Sequence, residues 1–365
     1  MPCVRGTLGC FDHGTNSIPH SVSLPVVSII IPCRNEASHV ERCLASILAS
    51  TYPTQLLDIV VVDGMSDDGT RSIVTEFTQS SSAVRMLDNP RRITPAALNI
   101  GIAAARGDVI MRMDAHSAYP PHYISRLVAW LSETGADNVG GACVTRPANE
   151  SIMARAIAVG LSHPLGVGNS HFRLGTDAVR WVDTVPYGCY QRSVFDRLGG
   201  FDEALARNQD DEFNARLRRA GGRILLVPDV TSEYVARDSL GKLWRMYYQY
   251  GLFKPLAVWK ARSAPTMRQL VPAAFVLSCA VAVLAAFNRS VGLVPLATLV
   301  ALYAIAIASA AVSVARAHGL RVALASIAVF AVLHISYGVG YLKGLVTLTG
   351  VSPTSRPAHA IPMTR

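Results

Sequence analysis

The stretch Met113-Asp114-Ala115-His116 closes the apolar run Val109-Ile110-Met111. Far downstream lies a second carboxylate cluster, Asn208-Gln209-Asp210-Asp211-Glu212. An acidic side chain at a strand end can hold a divalent cation through oxygen. Asp114 and His116 alternate on an extended segment, so both side chains point the same way. Imidazole suits Mn2+ and is less acceptable to Mg2+. His116 therefore reads either as a direct metal ligand or as a group that bonds a phosphate or orients Asp114. A carboxylate of the second cluster, folded beside the first, can take a proton from a hydroxyl. Asp210 and Asp211 are both candidates for that base. The cluster also reads as the acidic first turn of a helix, which suits Asp211 or Glu212.

The elements that must position these groups alternate. Val26 to Ile31 is a β-branched run ended by Pro32, the pattern of a buried parallel strand. Glu36 to Ala49 has helical spacing, with Val40, Cys43, Leu44, Ile47 and Leu48 on one face. Strands follow at Asp58 to Val62, Val84 to Leu87 and Val109 to Met113. Helices fall between them at Thr70 to Phe77 and Thr94 to Ala105, and after them at Pro121 to Ser132. This β-α-β-α order implies a mainly parallel sheet with helices on both faces. Ligands of such sheets bind outside the carboxyl ends of the strands, where Asn35, Asp63 and Asp114 all fall. The second half is less regular. Val139 to Val144, Arg180 to Tyr190 and Ile224 to Val227 read as strands, and Asp210 to Ala220 as a helix.

Half of the 365 residues are hydrophobic, and the mean hydropathy is +0.30. The apolar residues concentrate in three stretches, about 270–287, 292–315 and 322–342, each near the ~20 residues a bilayer requires. Arg316 and Arg321 flank the second connection and place it in the cytoplasm by the positive-inside rule. Three spans then leave the N-terminal domain cytoplasmic and the tail outside. A hairpin that spans twice, with the third stretch packed on it, is the other arrangement. Residues 239–262 are rich in Trp, Tyr, Leu and Lys and read as an amphipathic helix at the membrane interface, or else as a core helix of the soluble domain. The expected division is a loose arm at 1–24, a catalytic domain at 25–238, the interfacial helix and linker at 239–265, membrane helices at 266–348 and a tail at 349–365. The first 24 residues hold no apolar core of a secretory signal. Seven dispersed cysteines without a C-x-x-C pair fit a reducing compartment. The net charge of +9 reads as a solvated basic surface with juxtamembrane Lys and Arg, or as attraction to anionic lipid headgroups and a pyrophosphate substrate. No basic stripe interleaved with aromatics is present, which excludes nucleic acid as a partner.

In order and spacing, several segments together resemble the family 2 glycosyltransferases of the GT-A fold. They are Ser28 to Glu36, Ile59 to Thr70, Leu98-Asn99-Ile100-Gly101, Gly107-Asp108-Val109-Ile110, Asp114-Ala115-His116, Gly199 to Glu203 and Asn208 to Glu212, within about residues 25–255. With the apolar stretches, the chain is most similar to membrane-anchored transferases of succinoglycan-type exopolysaccharide assembly. The resemblance implies a GT-A, Rossmann-like α/β domain followed by transmembrane helices. It implies a nucleotide-sugar donor, UDP-glucose-like, whose nucleoside is framed by Pro32, Arg34 and Glu36, with Asp63 accepting the imide N–H of uracil. Asp114, with His116 where the family has a second Asp, would hold Mn2+ or Mg2+ and the donor diphosphate. Asp210 aligns with the family's catalytic carboxylate, and a single base gives displacement with inversion. The implied acceptor is a sugar on a polyprenyl diphosphate, and a polysaccharide assembly complex is a further partner. Gln249-Tyr250-Gly251-Leu252-Phe253 stands where processive synthases carry Gln-x-x-Arg-Trp, and Leu252 and Phe253 depart from it. Transfer onto a polyprenyl phosphate, a short-chain processive synthase and a non-catalytic membrane subunit are the alternatives. Asp67 and Asp68 read as turn and capping residues. Arg192, Arg216 and Lys254 read as surface charges before phosphate contacts, and the Gly-rich stretch His163 to Ser170 as a turn or a lid.

Overall fold

The computed structural model describes residues 23–287 and 292–348. The expected arm at 1–24 and tail at 349–365 lie largely or wholly outside the described residues. In chain order the elements are β1 (Val27–Cys33), α1 (Val40–Leu48), β2 (Leu57–Asp63), α2 (Thr70–Ser80), β3 (Val84–Asp88), α3 (Thr94–Ala104), β4 (Val109–Arg112), α4 (Tyr123–Thr134) and β5 (Asn138–Arg146). There follow α5 (Ile152–Gly160), the short turns α6 (Pro164–Val167) and α7 (His171–Leu174), β6 (Arg180–Trp181), β7 (Cys189–Gln191), α8 (Arg192–Leu198), α9 (Gln209–Arg219), β8 (Ile224–Val235) and α10 (Leu240–Lys260). Three long apolar helices close the chain: α11 (Met267–Ala285), α12 (Val294–His318) and α13 (Leu320–Leu348).

The strands form one sheet in the order β3-β2-β1-β4-β7-β5-β8-β6. β1, β2, β3 and β4 pair in parallel, as do β5 and β8, whereas β7 and β6 run antiparallel to their neighbours. The β-branched runs explain the central strands, because both faces are covered and every side chain needs apolar company. Along β1 and β2, Ile29, Ile31, Ile59 and Val61 face α1, α2 and α4. The intervening Ile30, Val60 and Val62 face α3, α8 and α9. β1 continues through Pro32, where its pairing with β4 has already stopped at Ile30, so the missing N–H removes no bond on that side.

The amino ends of the strands are pinned by a buried polar knot. Asp58 accepts from Ser28 Oγ at 2.6 Å, Arg85 Nε at 2.7 Å and the Arg106 amide at 3.0 Å. Gly107 lies so close to β1 that a Cβ there would stand 2.3 Å from the Val26 carbonyl. With one end tied down, the carboxyl ends carry the loops.

The structure differs from expectation at 180–190. Only Arg180–Trp181 and Cys189–Gln191 are extended, and the chain between them leaves the sheet. Pro186 offers no amide, and Tyr187 adopts φ 46°. Val185 lies over Gly140 of β5, where a Cβ would stand 2.6 Å from Val185 Cβ. The segment 36–39 forms a turn, so the first helix starts at Val40 and not at Glu36.

α11, α12 and α13 are each long and apolar enough to cross a membrane. α11 and α12 turn most of their apolar side chains outward, whereas half of the most apolar window of α13 is buried within the protein. α10 lies along α13 and buries Leu243, Met246, Leu252 and Leu256, leaving Trp244 and Trp259 exposed. The two helices approach closely at glycines: a Cβ at Gly340 would stand 2.2 Å from the Tyr248 carbonyl, and one at Gly251 would stand 2.1 Å from the Tyr337 carbonyl. α5 packs on the same helix through Gly160, facing Val329.

Candidate active site

Asp114 follows β4 by two residues, and its backbone N–H donates to Tyr119 Oη at 2.8 Å. Asp210 sits in the first turn of α9, on a helix whose entry is set by Asn208 at φ 62°. The Asn208 side-chain amide donates to the Tyr250 carbonyl of α10, so α10 holds the start of α9. Two carboxylates distant in sequence are thereby brought to one guanidinium. Arg112 donates through Nε and Nη2 to Asp114 Oδ1, at 3.2 and 3.0 Å, and through Nη1 to Asp210 Oδ1. Like charges this close require a cation between them.

The two carboxylates differ electrostatically. Burial raises Asp114, but Arg112, His116 and Arg207 outweigh it and hold its carboxyl below the ordinary range. Burial also raises Asp210, and there it prevails over Arg112, helped by Asp114 and Asp211. Asp210 is therefore the more basic of the pair. Asp211 accepts from the buried Lys254 ammonium of α10, which overcomes burial and lowers it.

His116 Nδ1 lies 3.4 Å from Glu36 Oε1, and its Nε2 lies 3.8 Å from Asp114 Oδ2. Burial lowers the imidazole, but Glu36 and Asp114 together lift it above its ordinary value. A carboxylate behind one ring nitrogen orients the other, as behind a metal-bound histidine. Among the described residues, no three His, Cys, Asp or Glu side chains are gathered to hold a metal ion. Asp114 Oδ2 and His116 Nε2 provide two donors on one spot. That set fits a cation which takes its remaining ligands from phosphate and water.

The nucleoside-framing candidates lie beside this centre, around the ends of β1 and β2. Glu36 touches His116, and Arg34 is exposed and lies over Gly64, where a Cβ would stand 3.1 Å from its side chain. Pro32 is half-buried at the end of β1. Asp63 is fully buried and already accepts from Ser66 N at 3.0 Å, Ser66 Oγ at 2.5 Å and Arg71 Nη1 at 2.7 Å. A carboxylate offers roughly four lone-pair directions, so three of them are occupied. Asp68 caps α2 through Thr70 and also accepts from the Ala37 amide. Among the described residues, six non-glycines have left-handed φ; four of them, Asn35, Met65, Tyr187 and Asn208, ring this region. Such strain gathers where a loop is held for function.

A cavity of about 740 Å³ opens from Arg112, Asp114, His116 and Asp210 and runs toward the apolar helices. Its walls include Tyr187 and the Gly-rich stretch, whose short turn α6 packs on the long apolar helix α13: the Leu165 carbonyl lies 2.7 Å from His334 Nε2. Gln249 is buried on α10 and accepts from Arg207 at 3.3 Å. Arg192 bonds the carbonyls of Ala105 and Gly107, and Arg216 pairs with Glu212; both are structural. Cys143 and Cys189 are buried, and burial raises both thiols. Sequence reading missed Arg112 and the cavity-lining Arg173, Arg207, Arg237 and Tyr337. A lone charge inside the apolar run 109–113 was the available sign for Arg112; the others carry no local pattern.

The family model described as Glycosyl transferase family 2 matches residues 28–199. The succinoglycan biosynthesis protein ExoA of Rhizobium meliloti is 36% identical over 248 residues, 67% of this chain and 74% of that protein. A dolichyl N-acetyl-α-D-glucosaminyl phosphate 3-β-D-2,3-diacetamido-2,3-dideoxy-β-D-glucuronosyltransferase of Methanococcus voltae is 29% identical over 243 residues, 64% of this chain and 74% of that protein. Among solved structures, the mannosyltransferase PcManGT from Pyrobaculum calidifontis, in complex with GDP-Man and Mn2+, superposes with a TM-score of 0.56. It is 22% identical and covers 86% of this chain and 87% of that one. The fold is thus GT-A-like, with three apolar helices appended.

Proposed function

We propose a reaction for this chain, which belongs to glycosyl transferase family 2: inverting transfer of a hexose from a nucleotide sugar, UDP-glucose-like, to a sugar carried on a membrane lipid diphosphate. The observation that carries it is the convergence of Asp114 and Asp210 on Arg112 at the mouth of a cavity leading to the apolar helices. The nucleoside lies against the Pro32, Arg34 and Glu36 loop, and the remaining lone pair of Asp63 accepts the base N–H once that loop parts. Asp114 with His116 would hold Mn2+ or Mg2+, which neutralises the departing diphosphate. Glu36 fixes the imidazole for that purpose. Asp210 accepts the proton of the acceptor hydroxyl as its oxygen bonds the anomeric carbon and the bond to the donor phosphate breaks. Asp211, paired with Lys254, is less available as a base. Displacement without a covalent intermediate turns an α-donor into a β-glycoside.

The two relatives support the setting: one acts in succinoglycan biosynthesis, and the other is named for an acceptor that is already a sugar on a dolichyl phosphate. Apolar helices and a charge of +9 suit a cytoplasm-facing enzyme on an anionic membrane, working beside an assembly complex. The test is the mass of the lipid product formed from each UDP- and GDP-sugar with bacterial lipid extract. One added hexose on a lipid-linked sugar supports the reading. A sugar phosphate lipid would indicate transfer to polyprenyl phosphate, and a product ladder a processive synthase. Binding of UDP with no product from any donor would favour a non-catalytic membrane subunit.

A further inference from the structure

We infer that the apolar arm of the cavity seats the lipid of the acceptor, and that Arg173, Arg237 and Tyr337 hold its diphosphate; this rests on the transferase reading above. Three residues with an orphaned donor line the cavity. Arg173 Nη1, Arg237 Nε and Tyr337 Oη are buried without a hydrogen-bond partner, and all three side chains line the cavity. Buried donors left unpaired are rare, and each asks for an explanation.

The neighbouring cations are already engaged. Arg112 serves Asp114 and Asp210, Lys254 serves Asp211, and Arg268 serves Asp183. Arg173 instead stacks over the rings of Phe172 and Tyr234, at 5.4 and 5.2 Å. A guanidinium stacked on an aromatic face keeps its N–H edge for a ligand, and that edge matches phosphate oxygens. These donors come from α7, from the loop after β8 and from α13, so no single element explains them.

The shape of the cavity selects which diphosphate they take. From Asp114 and Asp210 its walls pass to Val271, Pro272 and Phe275 of α11, Tyr303 and Ala306 of α12, and Leu333 of α13. A charged headgroup site continuous with an apolar groove between membrane helices fits an isoprenoid diphosphate. The nucleoside candidates Arg34, Glu36 and Asp63 are not among these walls. His116 stands between, with one nitrogen toward Glu36 and the other toward Asp114. The donor diphosphate therefore arrives from the strand-end side and the lipid diphosphate from the membrane side.

The full chain in detergent is titrated with farnesyl diphosphate, inorganic pyrophosphate and UDP, for wild type and for Arg173→Gln, Arg237→Gln, Tyr337→Phe and Phe275→Glu. Each arginine variant should weaken farnesyl diphosphate about tenfold or more, the worth of a charge-assisted hydrogen bond, and leave UDP within about twofold. Phe275→Glu should weaken farnesyl diphosphate and spare pyrophosphate. Where Arg173→Gln lowers the melting temperature, Arg237→Gln and Tyr337→Phe carry the same comparison. Unchanged farnesyl diphosphate affinity in the arginine variants overturns the inference. So does a loss of UDP binding in step, which would assign the arginines to the donor, and so does pyrophosphate binding as tightly as the lipid in wild type. UDP binding that persists without farnesyl diphosphate binding would sink this site alone; absence of both would remove the transferase reading with it.

Discussion

Arg112 decides how the two carboxylates coexist. It is 14% exposed and bonds both Asp114 and Asp210, so their repulsion is absorbed before any substrate arrives. Arg112→Gln should lower kcat on the order of 10²-fold, as for loss of one preorganised charge at a reacting centre, with UDP binding retained. Steady-state kinetics beside UDP titration checks it; a parallel loss of UDP affinity would give Arg112 a donor-binding role instead. Asp211 separates from Asp210 by its partner. Asp211→Asn leaves the Lys254 ammonium buried and unpaired, so it should destabilise by about 3 kcal/mol while kcat falls no more than about tenfold. Thermal unfolding and initial rates together read this split. The carboxylates were legible in the sequence because each stands at an element end in a recognisable cluster. Arg112 was not, because its role exists only when β4 and α9 meet.

Elements carry these residues through two fixed points. The polar knot around Asp58 ties β1, β2, β3 and the entry to β4 together. Burial alone raises that carboxyl, but Arg85, Ser28 and the Arg106 amide outweigh it and hold it below its ordinary 3.8. A depressed folded value means the stabilisation is complete above the unfolded value and is lost as pH falls through the folded one. Asp58→Asn should therefore destabilise at neutral pH by about 3 kcal/mol, with the deficit shrinking below pH ~4. Unfolding midpoints of both proteins from neutral to acid pH check this; a constant deficit would contradict it. The second fixed point is the α10–α13 crossing. Gly340→Val places a side chain against the Tyr248 backbone, which should cost about 2 kcal/mol and loosen α10 from the start of α9. Faster proteolysis within α10 and reduced transfer are the expected readouts. The parallel strands were readable because buried β-branched runs have few other uses. The 182–188 segment was not, since its departure from the sheet depends on Gly140 of a distant strand. For α10 composition allowed an interfacial or a core helix, and only the α13 glycines reveal what it packs on.

At the scale of the molecule, a GT-A-like domain is joined to apolar helices by α5 and α10 rather than by a tether. The third apolar helix is half-built into the domain, so the apolar segment forms part of the wall of the candidate site. Sequence resolved the two parts from hydropathy but not their union, because the contacts join residues far apart in the chain. In the proposed reaction Asp210 is the base in a transfer to a membrane-borne acceptor. The most direct measurement is UDP release by the full chain in detergent, with Mn2+ or Mg2+, a panel of donors and lipid extract, for wild type and Asp210→Asn. Lipid-dependent release from one donor should fall about 10²- to 10⁴-fold in the variant, with UDP binding and melting temperature kept. Release that persists in Asp210→Asn would contradict it.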